Sequence, residues 1–350
     1  MDATDAETVT ADQPATAPAG ADGPPAPRPT CEIVQSDVLE FLRAQPDRSV
    51  DLIVGSPPYD SKARRYGTGK NLRGQEWVDW MFEVFQESLR VSKGLVAYVV
   101  DGSTKDYRWS CTPILLMADL HRAGVHLRKP VCYVRHGIPG SGGKDWLKNN
   151  WETVVCAAPP GVLPWADNTA CGHEPVYKRS GPFTNRRANG VRNKRAYTPP
   201  DRANPGNVIN CRVGGNQMGS KLAHENEAPF PEVLAEFFVK SFCPPGGRVC
   251  DPFSGSGTTA AVSVRNGRHF FGCDLRQGQV ELGLRRVAGE SVRPATAPRP
   301  ARPKAAPAAA AGPARHLAAA DPADEITLID WTGEGEYPLD PLFVEAGAAE

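Results

Sequence analysis

Short apolar runs alternate with amphipathic stretches from residue 31 to residue 290, and this alternation restricts the chain to a small set of folds. The run at 50–54, Val-Asp-Leu-Ile-Val, is of buried-strand type. The segment 76–91 follows it with helical spacing: Trp77, Trp80, Met81, Val84, Phe85, Ser88 and Leu89 share a face. Further strands are expected at 31–35, 94–100, 129–134, 152–157, 248–251 and 269–274. Helices are expected at 38–44, 112–123, 230–242, 258–266 and 277–288, with Pro231 in the first turn of its helix. Strands that trade places with helices in this way form an α/β, doubly wound, mostly parallel sheet.

The segment 136–222 interrupts the pattern with many Gly, Pro and Asn residues. Between 178 and 212 it holds nine bases against the single acid Asp201. It reads as an insertion facing something negative. The wider charge distribution agrees. The chain is neutral as a whole, yet residues 31–290 carry 34 bases and 26 acids. Residues 1–30 are poor in large apolar side chains and are expected to be a disordered tail. Residues 291–324 read as an Ala/Pro-rich linker, and 325–350 as an acidic tail. No run approaches the roughly 20 apolar residues of a membrane helix. With no basic-then-apolar leader in the first 30 residues, a cytoplasmic location is expected. The nine cysteines include no Cys-x-x-Cys pair, so neither a disulfide framework nor a metal site is expected.

Two loops carry chemistry. The first, Asp251-Pro252-Phe253-Ser254-Gly255-Ser256-Gly257-Thr258-Thr259, follows a strand and opens a helix. Its glycines permit a tight turn and a close ligand approach, and the helix offers free N–H groups. It lacks the lysine of a phosphate loop, and Ala260 stands where a dinucleotide fingerprint has its third glycine, a replacement that fingerprint tolerates. Asp274, at the end of the next strand, is placed to accept hydrogen bonds from both ribose hydroxyls of an adenosine ligand. The lesser alternative is a cap for the helix that follows, a common role for Asp at such a junction. The second loop is Ser56-Pro57-Pro58-Tyr59. Two prolines fix the backbone and remove two donors, which leaves carbonyl acceptors beside an aromatic face. Alone it could be a rigid turn. As a site it suits a planar ring bearing an amino group.

Taken in order, SPPY and then DPFSGSGTT, the two loops resemble those of the DNA amino-methyltransferases, in the permuted arrangement called the β class. The similarity covers most of residues 31–290. It implies a Rossmann-like fold, S-adenosylmethionine as methyl donor and double-stranded DNA as substrate. It implies that Ser56, Pro57, Pro58 and Tyr59 hold the target base. Asp37 matches the acid near the donor's adenine, and His224 and Phe230 match the segment over its methionine end. Asp251, Pro252, Phe253, Gly255, Gly257, Thr258 and Asp274 complete the expected donor site. The basic insertion falls where the family has its target-recognition region. Arg64 and Arg65, in a basic strap after the catalytic loop, and Arg186, Arg187, Arg192, Lys194 and Arg195 are the expected DNA contacts. Serine at the head of the catalytic loop is associated in the family with N4 of cytosine, and aspartate with N6 of adenine. N4-cytosine methylation is therefore the leading expectation, with N6-adenine methylation as its alternative. A non-catalytic regulatory protein binding donor and DNA is a further reading, which the intact SPPY and glycine loop disfavour. A cognate restriction endonuclease is a possible partner, and a nucleoid-associated cytoplasmic location fits.

Overall fold

The computed structural model describes residues 29–60, 71–136, 147–182, 196–212, 215–226 and 228–289. The expected linker, the acidic tail and all but Pro29 and Thr30 of the N-terminal tail lie outside them. The described residues fall within a unit spanning Met1–Pro294.

Seven strands stand close to where the apolar runs place them: β1 (Cys31–Gln35), β2 (Val50–Gly55), β3 (Ser92–Val100), β6 (Val131–His136), β7 (Trp151–Ala157), β11 (Arg248–Asp251) and β12 (His269–Asp274). With β10 (Val208–Arg212) they form one sheet in the order β1-β12-β11-β2-β3-β7-β6-β10. The pairs from β1 to β3 are parallel, and so is β6 with β10. Strand β7 runs antiparallel to both neighbours. Two short antiparallel pairs stand apart, β4 (Thr104–Lys105) with β5 (Arg108–Trp109) and β8 (Gly181–Pro182) with β9 (Ala196–Tyr197).

Two findings correct the sequence reading. The segment 136–222 is more than an insertion, because it also supplies β10. That strand is short and alternates, burying Ile209 and Cys211 while Val208, Asn210 and Arg212 face outward. An edge strand with one polar face lacks the continuous apolar run that marks a central parallel strand. Pro231 is the N-cap of its helix, in extended conformation (φ −67°, ψ 146°), so the helix starts at Glu232. Phe230, which precedes a proline, is held out of the helical region.

Helices cover both sheet faces. On one, α1 (Val38–Arg43), α2 (Gln75–Val91) and α3 (Thr112–Arg122) bury Phe41, Trp77, Met81, Phe85, Leu116 and Leu120 against Ile53, Val96 and Tyr98. On the other, α4 (Glu232–Phe242), α5 (Thr258–Arg265) and α6 (Gln277–Val287) bury Leu234, Phe238, Val262 and Val280 against Leu52, Val54 and Val249. Strands covered on both sides are apolar in nearly every position, which accounts for β2 and β3. This packing sets the carboxyl ends of β1, β12, β11 and β2 side by side, where open α/β sheets place their ligands. No helix among the described residues is long and apolar enough to cross a membrane.

Candidate active site

Both loops open into one cavity of about 800 Å³ at those strand ends. Sites for small molecules run from about 300 to 1,000 Å³. Ser56, Pro57, Pro58 and Tyr59 line it, as do Pro252, Phe253, Gly255 and Asp274. Asp37, His224 and Phe230, far apart in sequence, reach the same wall.

At the glycine-loop end, Asp274 accepts the Gly255 N–H (3.0 Å) and the Arg276 N–H (2.9 Å), one on each carboxylate oxygen. Each oxygen keeps lone-pair capacity for a ligand hydroxyl. Burial, the largest influence, pushes its carboxyl above the usual aspartate range. Asp37 uses Oδ1 to cap α1 through the Leu39 N–H (2.9 Å). Gly255 (φ 49°) and Gly257 (φ 72°) take left-handed conformations that side chains resist. A Cβ on Gly255 would come within 2.9 Å of the Asn226 amide, which also lines the cavity. A Cβ on Gly257 would meet Gly283 Cα of α6 at 2.7 Å, so that glycine brings helix and loop together.

Asp251, Gly257 and Thr258, three of the expected donor contacts, stand behind the cavity wall rather than in it. Asp251 is buried. Its carboxylate accepts the Phe253 N–H (2.9 Å) and the Thr259 hydroxyl (2.7 Å), closing the loop from below. A Cβ on Gly55 would lie 2.3 Å from Asp251 Oδ1, so the same carboxylate abuts the residue before Ser56. Asp251 thereby joins the two loops. Thr258 Oγ1 accepts from Arg286 of α6 (2.8 Å).

At the other end, the Trp77 indole N–H donates to the Pro58 carbonyl (2.9 Å). The Pro57 carbonyl is left as the open acceptor of the pair among the described residues. Among the described residues the Ser56 hydroxyl makes only long contacts, to Tyr59 Oη (3.4 Å) and the Val99 carbonyl (3.5 Å). The Tyr59 hydroxyl donates to Glu152 Oε2 (2.7 Å), and Glu152 Oε1 pairs with Arg135 Nη1 (2.6 Å). Burial, more than the adjacent Glu152 charge, raises the Tyr59 phenol well above its ordinary range. Burial also raises the Glu152 carboxyl, against the opposing pull of Arg135. The result fixes an aromatic ring beside two acceptors. Sequence reasoning did not single out Glu152, Arg135, Asp101 or Trp80, all of which line the cavity. One signal was present, since Glu152 is an acid inside the apolar strand Trp-Glu-Thr-Val-Val-Cys-Ala.

The described residues hold no His/Cys/Asp/Glu group able to bind a metal ion. The expected DNA contacts Arg64, Arg65, Arg186, Arg187, Arg192, Lys194 and Arg195 lie outside the described residues.

Known proteins resemble the chain in sequence and fold. A family model described as DNA methylase matches residues 50–285. The chain is 27% identical over 266 residues to the DNA adenine methyltransferase YhdJ of Escherichia coli, covering 73% of this chain and 82% of that one. It is 25% identical over 268 residues to the type II methyltransferase M.BglII of Bacillus subtilis, covering 74% and 69%. Among solved structures it resembles the cytosine-N4-specific PvuII DNA methyltransferase, with a TM-score of 0.55 at 18% identity over 75% of this chain and 95% of that one.

Proposed function

The chain belongs to the DNA methylase family, and from that premise we propose that it methylates N4 of a cytosine extruded from duplex DNA, with S-adenosylmethionine as donor. The observation that carries the reading is the single cavity that holds both the SPPY loop and the glycine-rich loop.

The residues present fit the donor. Asp37 and Asp274 supply acceptors at the ends of β1 and β12, Val38, Phe253 and Leu275 supply apolar surface, and Gly255 leaves room where a side chain would crowd Asn226. When bound, the donor supplies a methyl carbon made electrophilic by its sulfonium. Asp274 would receive the ribose hydroxyls, with its carboxylate already oriented by two backbone N–H groups. Phe230 and His224 would cover the other end of the donor.

The exocyclic amine of a base is a poor nucleophile because its lone pair is delocalised into the ring. Ser56 Oγ and the Pro57 carbonyl would accept its two N–H bonds and turn that lone pair out of the ring plane. Tyr59, anchored through Glu152, would present its ring to the base. Holding the reactants in near-attack alignment supplies a large part of the rate. Extruding the base costs a few kcal/mol. Stacking and phosphate contacts by the basic residues of the strap (Arg64, Arg65) and of the insertion (Arg186, Arg187, Arg192, Lys194, Arg195) would offset it. Serine at the first catalytic position supports cytosine. Methylation of adenine N6 is the second reading, favoured by the similarity to an adenine methyltransferase. The similarity to type II methyltransferases supports a cognate endonuclease as partner, and DNA as substrate supports a place in the cytoplasm, at the nucleoid.

The test is Ser56→Ala. Turnover is expected to fall about 100-fold, a barrier rise of about 2.7 kcal/mol. Donor affinity by calorimetry should stay within about twofold. Equal losses in both would remove Ser56 from the target amine.

A further inference from the structure

Among the described residues Arg135 is the cavity's one arginine on the catalytic-loop side, and SPPY chemistry does not require it. It lies on β6 two residues beyond Tyr133, which sits opposite Glu152 of β7, so the three side chains share a sheet face and line the cavity together. A guanidinium carries five N–H donors in a rigid fork. Glu152 engages Nη1, and Nε is buried with no partner among the described residues. The side chain as a whole is 20% exposed. Pairing in this way takes two charges partly out of water, which gives little net stability. It does fix the fork: Glu152 is held in turn by the Tyr59 hydroxyl, and Tyr59 touches Ser56. Ser56, Tyr59, Glu152 and Arg135 thus form one contact chain along the wall.

We propose that Arg135 selects the target base by donating hydrogen bonds to the ring edge next to the reacting amine. This inference rests on the methyltransferase reading and deepens it. With the amine on Ser56 and Pro57, cytosine presents two neighbouring acceptors, N3 and then O2. Adenine presents N1 and then a C–H. The Nη N–H groups that Glu152 leaves uncommitted can meet the first pattern with two bonds and the second with one. Glu152 acts as a positioning residue, because it keeps the fork turned toward that edge and offsets its charge.

The test uses unmethylated DNA copied with ordinary dCTP or with its 2-thio analogue, in which O2 becomes a weakly accepting sulfur. The full-length protein, Arg135→Lys and Arg135→Ala are compared, and the methylated nucleosides are identified by mass spectrometry. The native protein should lose about 10- to 100-fold in rate on thio-substituted DNA, the range for a hydrogen bond from a charged group. Both variants should be slower on ordinary DNA and nearly indifferent to the sulfur. Arg135→Lys keeps the charge facing Glu152, so it carries the comparison if the alanine variant does not fold. An equal sulfur penalty in native protein and variants would overturn the role of Arg135 while leaving N4 methylation intact. A native protein that methylates only adenine N6, or nothing, would overturn the underlying reading and this inference with it; the nucleoside product tells the two failures apart.

Discussion

Asp251 offers a quantitative test of the way the two loops are joined. Its carboxyl is buried, and that burial pushes it up from 3.8 to about 7 despite the opposing bonds from Thr259 and the Phe253 N–H. Between those two values the unfolded chain carries an ionised Asp251 while the folded chain keeps it protonated. Unfolding therefore releases a proton, and raising the pH favours it. Its contribution is fully present below pH 3.8 and is lost as pH rises through about 7. Each pH unit in that window removes about 1.4 kcal/mol, and the whole window about 4 kcal/mol. Asp251→Asn keeps the shape and an acceptor for the Phe253 N–H, and the Thr259 hydroxyl can rotate to accept from the new amide. Urea unfolding of both proteins from pH 4 to 8 gives the difference directly. Native stability should fall relative to the variant by about 4 kcal/mol across the window and then level off. A flat difference would refute the burial argument and with it the placement of Asp251 beneath the loop.

Other expectations follow from the same contacts. Asp274→Asn replaces one acceptor oxygen by NH2, so either the Gly255 or the Arg276 N–H loses its partner. Donor affinity should weaken at least about tenfold, the lower bound for a lost charge-assisted bond; unchanged affinity by calorimetry would count against the ribose contact. Trp77→Phe keeps an aromatic ring and removes the bond to the Pro58 carbonyl. Stability in urea should fall by about 1 kcal/mol, and turnover should fall with it because the catalytic loop loosens. Full turnover in the presence of that destabilisation would show that loop rigidity is not needed.

Much of this arrangement is legible in the residue order, for a physical reason. Central strands such as β2 and β3 are buried on both faces and announce themselves as apolar runs, and α2 announces itself by its spacing. The loops at their ends are constrained by proline and glycine, so SPPY and DPFSGSGTT stand out in the sequence itself. Strand β10 escaped because an edge strand alternates and is diluted by Asn210 and Arg212. The roles of Asp251 and Asp274 differ in depth: one sits behind the wall and the other in it, yet both are aspartates at strand ends, and only burial separates them. Arg135 escaped because it is ordinary in its own segment, and Glu152, an acid in an apolar strand, shows no partner there. They become a pair only when β6 and β7 are laid antiparallel.

The central claim is that one cavity brings a methyl donor to the amine of a cytosine lifted from the helix. It is tested most directly by incubating the purified protein with labelled S-adenosylmethionine and unmethylated duplex DNA, then separating the digested nucleosides. Label in N4-methylcytosine, abolished by Ser56→Ala, is the predicted result. Label confined to N6-methyladenine, or absent from DNA altogether, would contradict it.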